Sequence, residues 1–309
     1  MKPAWLILPV ALVFAGPIAG EEGDPAPIFE NWRAWASDRQ IETGQIAVLR
    51  NGRMLGRDAI GDATGPVDFA SLSKAVTAHC IAEIVALGEA KWEDTVGRWL
   101  PETQLPLSNI RLDALMTHSS GLTPDSTQGW MPDLRGDGPP AYEAVVERIE
   151  TRALGPGAFE YNNENYGVLG AVISAISGAP YAETCAVEGL SLSPTYGRFA
   201  AWGGWSGDLA DFGRFLWDAF GDADPTDQPA VRAYADALRY GQGVVWRSWR
   251  GGYNVWHFGA LCFADGDAFF THAVLFANGV SVVSHVEGCP AEDWFFSLDQ
   301  AIYTGAFKQ

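Results

Sequence analysis

Basic side chains are scarce in this sequence. Across 309 residues there are 20 Lys and Arg against 38 Asp and Glu, a net charge of −18. Nucleic acid and anionic membrane surfaces bind through basic patches, so neither is expected as a partner. Long apolar runs are missing after the first twenty residues, so no membrane span is expected once that segment is removed. Cys is limited to four, Cys80, Cys185, Cys262 and Cys289, at spacings that match no zinc site, and His79, His272 and His285 show no metal spacing. No metal and no cofactor are expected. There is no internal repeat, no low-complexity tract and no Gly-x-Ser-x-Gly elbow of the Ser-His-Asp hydrolases.

What is present is a globular composition, 48 % apolar and 19 % charged, with thirteen Trp and sixteen Phe to fill a core. Residues 1–20 read as a secretory signal: Lys2, an apolar run from Trp5 to Phe14, then small residues before Glu21. An exported chain, periplasmic or secreted, matures in an oxidising compartment, so disulfides are permitted. Four Cys allow three pairings. Cys262 and Cys289 flank the last strand hairpin and are the favoured pair; Cys80, inside an apolar helix, reads as a free buried thiol.

The chain order predicts an α+β fold for residues 21–309. A helix is expected at 29–37, followed by a hairpin of 46–49 and 53–55 turned by Asn51-Gly52, which suits a type I′ turn. A buried helix starts at Ser71 and ends at Gly88. Shorter helical pieces follow at 95–100 and 110–117. Residues 122–140, rich in Gly, Pro and Asp, form a loop too long to lack a purpose. Helices at 141–153, 164–177 and 207–220 precede β-type runs at 241–245, 253–257, 268–276 and 280–286, and a closing helix at 291–303. Strands at both ends with helices between predict an antiparallel sheet from both termini (about 30–65 and 240–309) with a mainly helical insertion (about 70–240).

Three short stretches carry chemistry. In Ala70-Ser71-Leu72-Ser73-Lys74, a hydroxyl and an amine stand one helical turn apart. Serine needs a base, and lysine serves only when desolvation makes it neutral; the apolar run after Lys74 supplies that burial. Ser73 is a rival nucleophile that faces away from Lys74. In Tyr161-Asn162-Asn163, a phenol with its pKa lowered by Lys74 could shuttle protons, and Asn163 could bind a substrate carbonyl or hold Lys74. In His257-Phe258-Gly259, the glycine lets a substrate lie against the strand edge, and the N–H groups of Ser71 and Ala260 could bind an oxyanion.

Together these motifs resemble the serine β-lactamase and penicillin-binding-protein superfamily, whose Ser-x-x-Lys motif they contain. The nearest branch is the class C β-lactamase-like one, with its family VIII-type esterases and D-aminopeptidases. The flanks agree: Leu115 to Leu122, Phe159 to Gly170, and Gly204 to Phe212. The resemblance implies the β-lactamase/transpeptidase fold, Ser71 as acylated nucleophile, Lys74 and Tyr161 as base and acid, Asn163, His257 and Gly259 as substrate-binding residues, and His118 as a structural residue under the long loop. The chain departs from the family where His257 replaces a Lys that binds a substrate carboxylate. Phe258 replaces a small polar residue, which narrows the site or makes it greasier. Small esters or amides are therefore expected first, with a β-lactamase or a D,D-peptidase/D-aminopeptidase as the alternative. A catalytically inactive binding protein on the same fold is the alternative from another class.

Overall fold

The computed structural model describes residues 23–226, 228, 231–235, 238–249 and 252–307. The expected signal segment, residues 1–20, lies outside them.

An eight-stranded antiparallel sheet has the order β2-β1-β11-β10-β9-β8-β7-β6. Its strands are β1 (Gly44–Arg50), β2 (Arg53–Ile60), β6 (Val231–Ala235), β7 (Leu238–Gly241), β8 (Val244–Trp249), β9 (Gly252–Cys262), β10 (Ala268–Leu275) and β11 (Val280–Glu287). A small sheet orders β3 (Val67–Asp68), β5 (Trp205–Gly207) and β4 (Leu190–Leu192) as β3-β5-β4. Asn51 and Gly52 both have positive φ, 49° and 73°, as the type I′ reading requires. The last strand of the chain, β11, lies between β1 and β10, with Gly44 opposite Val286.

Alternation along the strands gives the sheet two covered faces. Val48, Phe270, Val282 and Val286 pack against α1 (Ala26–Asp38) and α10 (Trp294–Phe307), where Trp35 meets Trp294 edge-on at 5.5 Å. Leu49, Ala273 and Val283 face the larger core. That core contains α2 (Ser73–Ala86), α3 (Val96–Trp99), α4 (Leu112–Met116), α5 (Tyr142–Ile149), α6 (Asn163–Ser177), α7 (Tyr181–Thr184), α8 (Ala200–Gly203) and α9 (Leu209–Phe220). Each fully buried Trp or Phe contributes about 2–3 kcal/mol of hydrophobic stabilisation. Helix α2 is buried over most of its length, as its sequence predicts, and opens to solvent at Glu83.

Three expectations are corrected. Cys80 is not a free thiol: it is joined to Cys185 across 105 residues, tying α2 to the end of α7, while Cys262–Cys289 forms as favoured. Phe258 does not narrow the site. Side chains alternate along β9, so Phe258 turns to the α10 face and packs on Phe295 while His257 and Gly259 turn inward. Strands β6 and β7 extend the sheet through a stretch in which the sequence pattern gave no strand.

Candidate active site

Ser71 sits in a tight 3₁₀ turn, Ala70–Leu72, between β3 and α2. The turn is entered through Ala70 at φ 45°, a left-handed conformation for a residue with a side chain, which costs about 1 kcal/mol or more. The next turn of helix brings Lys74 back over it. The Lys74 amine lies 3.0 Å from Ser71 Oγ, 2.7 Å from Asn163 Oδ1 and 2.8 Å from the Trp202 carbonyl oxygen. Lys74 is fully buried. Burial pushes its pKa down to about 7, against a partial offset from the negative charge of Asp125. Near neutral pH a large fraction of this amine is therefore unprotonated and able to take the serine proton. Ser73 is excluded as nucleophile, because its buried hydroxyl accepts the Trp205 N–H at 3.0 Å.

Tyr161 closes the other side of Ser71. Its hydroxyl interacts with the Ser71 side chain, which acts to lower the phenol's pKa, while the residue as a whole remains 40 % exposed and marks the opening of the site. Burial raises the phenol above its ordinary value, and the Ser71 interaction opposes this only in part. The lowered phenol expected from the sequence is not found. Lys74 Nζ meets the ring face, 4.9 Å from its centroid, and is itself only partly charged at neutral pH. Tyr161 is thus a neutral proton donor at rest. Beneath it lies His118, with ring centroids 4.5 Å apart. His118 Nδ1 accepts the Asn162 N–H at 3.2 Å, and Nε2 pairs with the Tyr240 hydroxyl at 3.2 Å. Burial holds His118 neutral.

Asn163 opens α6 and has both ends of its amide engaged: Oδ1 accepts from Lys74 and Nδ2 donates to Thr127 Oγ1 at 2.9 Å. This geometry favours holding Lys74 over reaching out to a substrate. On the sheet side, a Cβ at Gly259 would collide with the Phe69 carbonyl oxygen and stand 2.7 Å from Ser71 N. Only glycine permits this approach, which sets the Ser71 backbone beside Gly259 and hence next to Ala260. Thr271 Oγ1 fixes the contact by donating to the Phe69 carbonyl at 2.9 Å. Strand β8 pairs with β9 only as far as Trp256. From His257 to Cys262, β9 has β10 on one side and no strand on the other among the described residues. His257 is buried, its Nδ1 donates to the Phe258 carbonyl at 2.6 Å, and its pKa is pushed down to about 3, chiefly by burial. It carries no charge at neutral pH.

A family model described as Beta-lactamase matches residues 29–186. The chain belongs to the beta-lactamase family. The match includes Ser71, Lys74, Tyr161 and Asn163; the β9 edge lies beyond it. Over 151 residues, 45 % of its length, the chain is 26 % identical to the Bacillus subtilis (strain 168) protein PbpX, named as a penicillin-binding protein, but the match spans only 36 % of that relative. Two solved structures share the beta-lactamase fold. One is the octameric penicillin-binding protein homologue from Pyrococcus abyssi (TM-score 0.72, 15 % identity, 93 % of this chain and 77 % of that one). The other is a D-stereospecific amidohydrolase from Streptomyces sp. (TM-score 0.71, 16 % identity, 92 % and 99 %).

Several residues of the site are invisible in the short motifs. Asp125 and Thr127 come from the loop after Leu122, whose length was the one signal that it had work to do. Trp202 contributes a carbonyl, which no side-chain pattern reveals. Gly243, in the β7–β8 hairpin, presses on the Lys74 backbone so closely that a Cβ there would collide with the Lys74 carbonyl. Among the described residues no group of His, Cys, Asp and Glu could hold a metal ion.

Proposed function

We propose that the protein is an exported serine hydrolase that cleaves small esters or amides through an acyl-enzyme on Ser71. The observation that carries this reading is the buried Lys74 amine, 3.0 Å from Ser71 Oγ and poised near neutrality. Unprotonated Lys74 takes the Ser71 proton as Oγ adds to the substrate carbonyl. The oxyanion is held by the N–H groups of Ser71 and Ala260. Tyr161, a neutral phenol, gives its proton to the leaving group and is reprotonated through Lys74. A water then attacks the ester by the same groups in reverse, releasing acid and free Ser71.

Substrate charge follows from the surroundings. His257 is neutral, so the β9 edge offers no cation to a substrate carboxylate, and Asp125 adds negative potential nearby. Neutral esters and amides are favoured over anionic β-lactams and cell-wall peptides. Within this reading, amide cleavage is favoured by the fold shared with a D-stereospecific amidohydrolase. Export is supported by the signal-like residues 1–20 and by two disulfides.

The test is a panel of p-nitrophenyl esters, D-amino-acid amides and a chromogenic cephalosporin, with wild type and Ser71→Ala. Ester turnover is expected, with kcat/KM lowered by roughly 10³-fold or more in the variant. Equal activity of both proteins would remove Ser71 from the mechanism. No turnover, together with no labelling of Ser71 by a fluorophosphonate, would leave a binding protein.

A further inference from the structure

We propose that Asp125 is a positioning residue of the Ser71 centre, locking Asn163 in place and supplying the negative charge against which the Lys74 amine is balanced. This deepens the reading of Ser71 as nucleophile and rests on it. Asp125 reaches Asn163 by two routes. Its Oδ2 accepts the Asn163 backbone N–H at 3.0 Å, at the start of α6. Its Oδ1 accepts the Thr127 N–H at 2.9 Å, and Thr127 Oγ1 in turn accepts the Asn163 side-chain amide at 2.9 Å. With both ends held, the Asn163 carbonyl oxygen is left facing Lys74 Nζ at 2.7 Å.

The remaining groups around Lys74 are neutral or repel a proton. Tyr161 and Tyr166 present ring faces, 4.9 and 5.8 Å from Nζ. His118 and His257 are held neutral, and any proton on them would be repelled by Lys74. Ser71 and the Trp202 carbonyl carry no charge. Asp125 is thus the charged group that counters burial, keeping the amine near neutrality instead of far below it. An unopposed buried lysine would be fully unprotonated but a weaker base. Asp125 sets a compromise between availability and strength.

The lysines in the sequence are Lys2, Lys74, Lys91 and Lys308, so ¹³Cε-labelled lysine gives a spectrum sparse enough to titrate Lys74 directly in the free enzyme. In Asp125→Asn, and in Asp125→Ser, the Lys74 midpoint is expected to move down by about one pH unit or more. The acid limb of kcat/KM moves with it and the plateau falls. Asp125→Glu should restore the midpoint towards wild type. Thr127→Val, which breaks one route to Asn163 but keeps the charge, should leave it near the wild-type value. An unmoved midpoint in folded Asp125→Asn or Asp125→Ser, or an equal shift in Thr127→Val, overturns the proposal. The titration needs no substrate. A Ser71→Ala variant as active as wild type would therefore sink the nucleophile reading while the Lys74 midpoints still report on Asp125.

Discussion

Lys74 concentrates the cost of this site in one side chain. A buried amine is tolerated because three oxygens surround it, and each belongs to a different element: the turn before α2, the start of α6 and the end of α8. Its backbone is pinned from behind by Gly243, at φ 74° in the β7–β8 hairpin. Gly243→Ala adds one methyl group against the Lys74 carbonyl and forces a left-handed alanine, a strain of about 1–2 kcal/mol before any clash is relieved. We expect a lower melting temperature together with a kcat loss of at least tenfold, measured by thermal unfolding and ester hydrolysis. Unchanged kcat would show that the hairpin does not position Lys74. At this scale the meeting of Ser71 with Lys74 was legible, because residues three apart share one helical face, and Tyr161 joins them as its motif led one to expect. The Tyr161 protonation state was not legible, because it is set chiefly by the burial of the phenol in the folded site.

Elements differ in how strongly they are tied to the site. Helix α2, which follows Ser71 and carries Lys74, is joined by Cys80–Cys185 to a segment 105 residues away, whereas Cys262–Cys289 closes 27 residues. Loop-closure entropy alone assigns about 5 kcal/mol to the longer bridge and about 3.5 kcal/mol to the shorter. The double variant Cys80→Ala/Cys185→Ala is therefore expected to lower the urea midpoint more than Cys262→Ala/Cys289→Ala. The reverse order would indicate that the β9 end, not α2, limits stability. Helices α1 to α6, α9 and α10 and strands β1, β2 and β9 to β11 were legible from periodicity, glycine stops and the Asn-Gly turn, whereas the run expected at 241–245 straddles the turn into β8 and the short α7 and α8 gave no signal. Strands β6 and β7 were not legible. Val231–Ala235 and Leu238–Gly241 are short, and Arg232 and Arg239 interrupt their apolar pattern, so their pairing is decided by the neighbouring β8. The Cys80–Cys185 bridge was hidden because two distant segments meet only in the folded core.

Over the whole molecule, three buried histidines and the half-buried His285 set the response to acid. His257 is pushed down to about 3, His272 and His285 to about 4, and His118 well below its ordinary value, all mainly by burial. Unfolding returns them to about 6.5. Between those values the unfolded chain binds more protons than the folded one, so stability is lost as pH falls through 6.5 towards 4. Each histidine contributes up to about 1.4 kcal/mol per pH unit. The melting temperature is expected to fall steeply from pH 7 to pH 4.5; a flat profile would mean that these rings find partners on protonation.

The seating of β11 between β1 and β10 also has a consequence in time. A ribosome delivers the two outer partners long before and shortly before the strand that joins them, so the first hairpin waits for a neighbour made about 240 residues later. Closing such a long loop is slow. The glycine that meets Ser71 is made only just ahead of that strand. Ser71 therefore cannot meet its sheet-edge neighbour until residues nearly two hundred positions further along have been made.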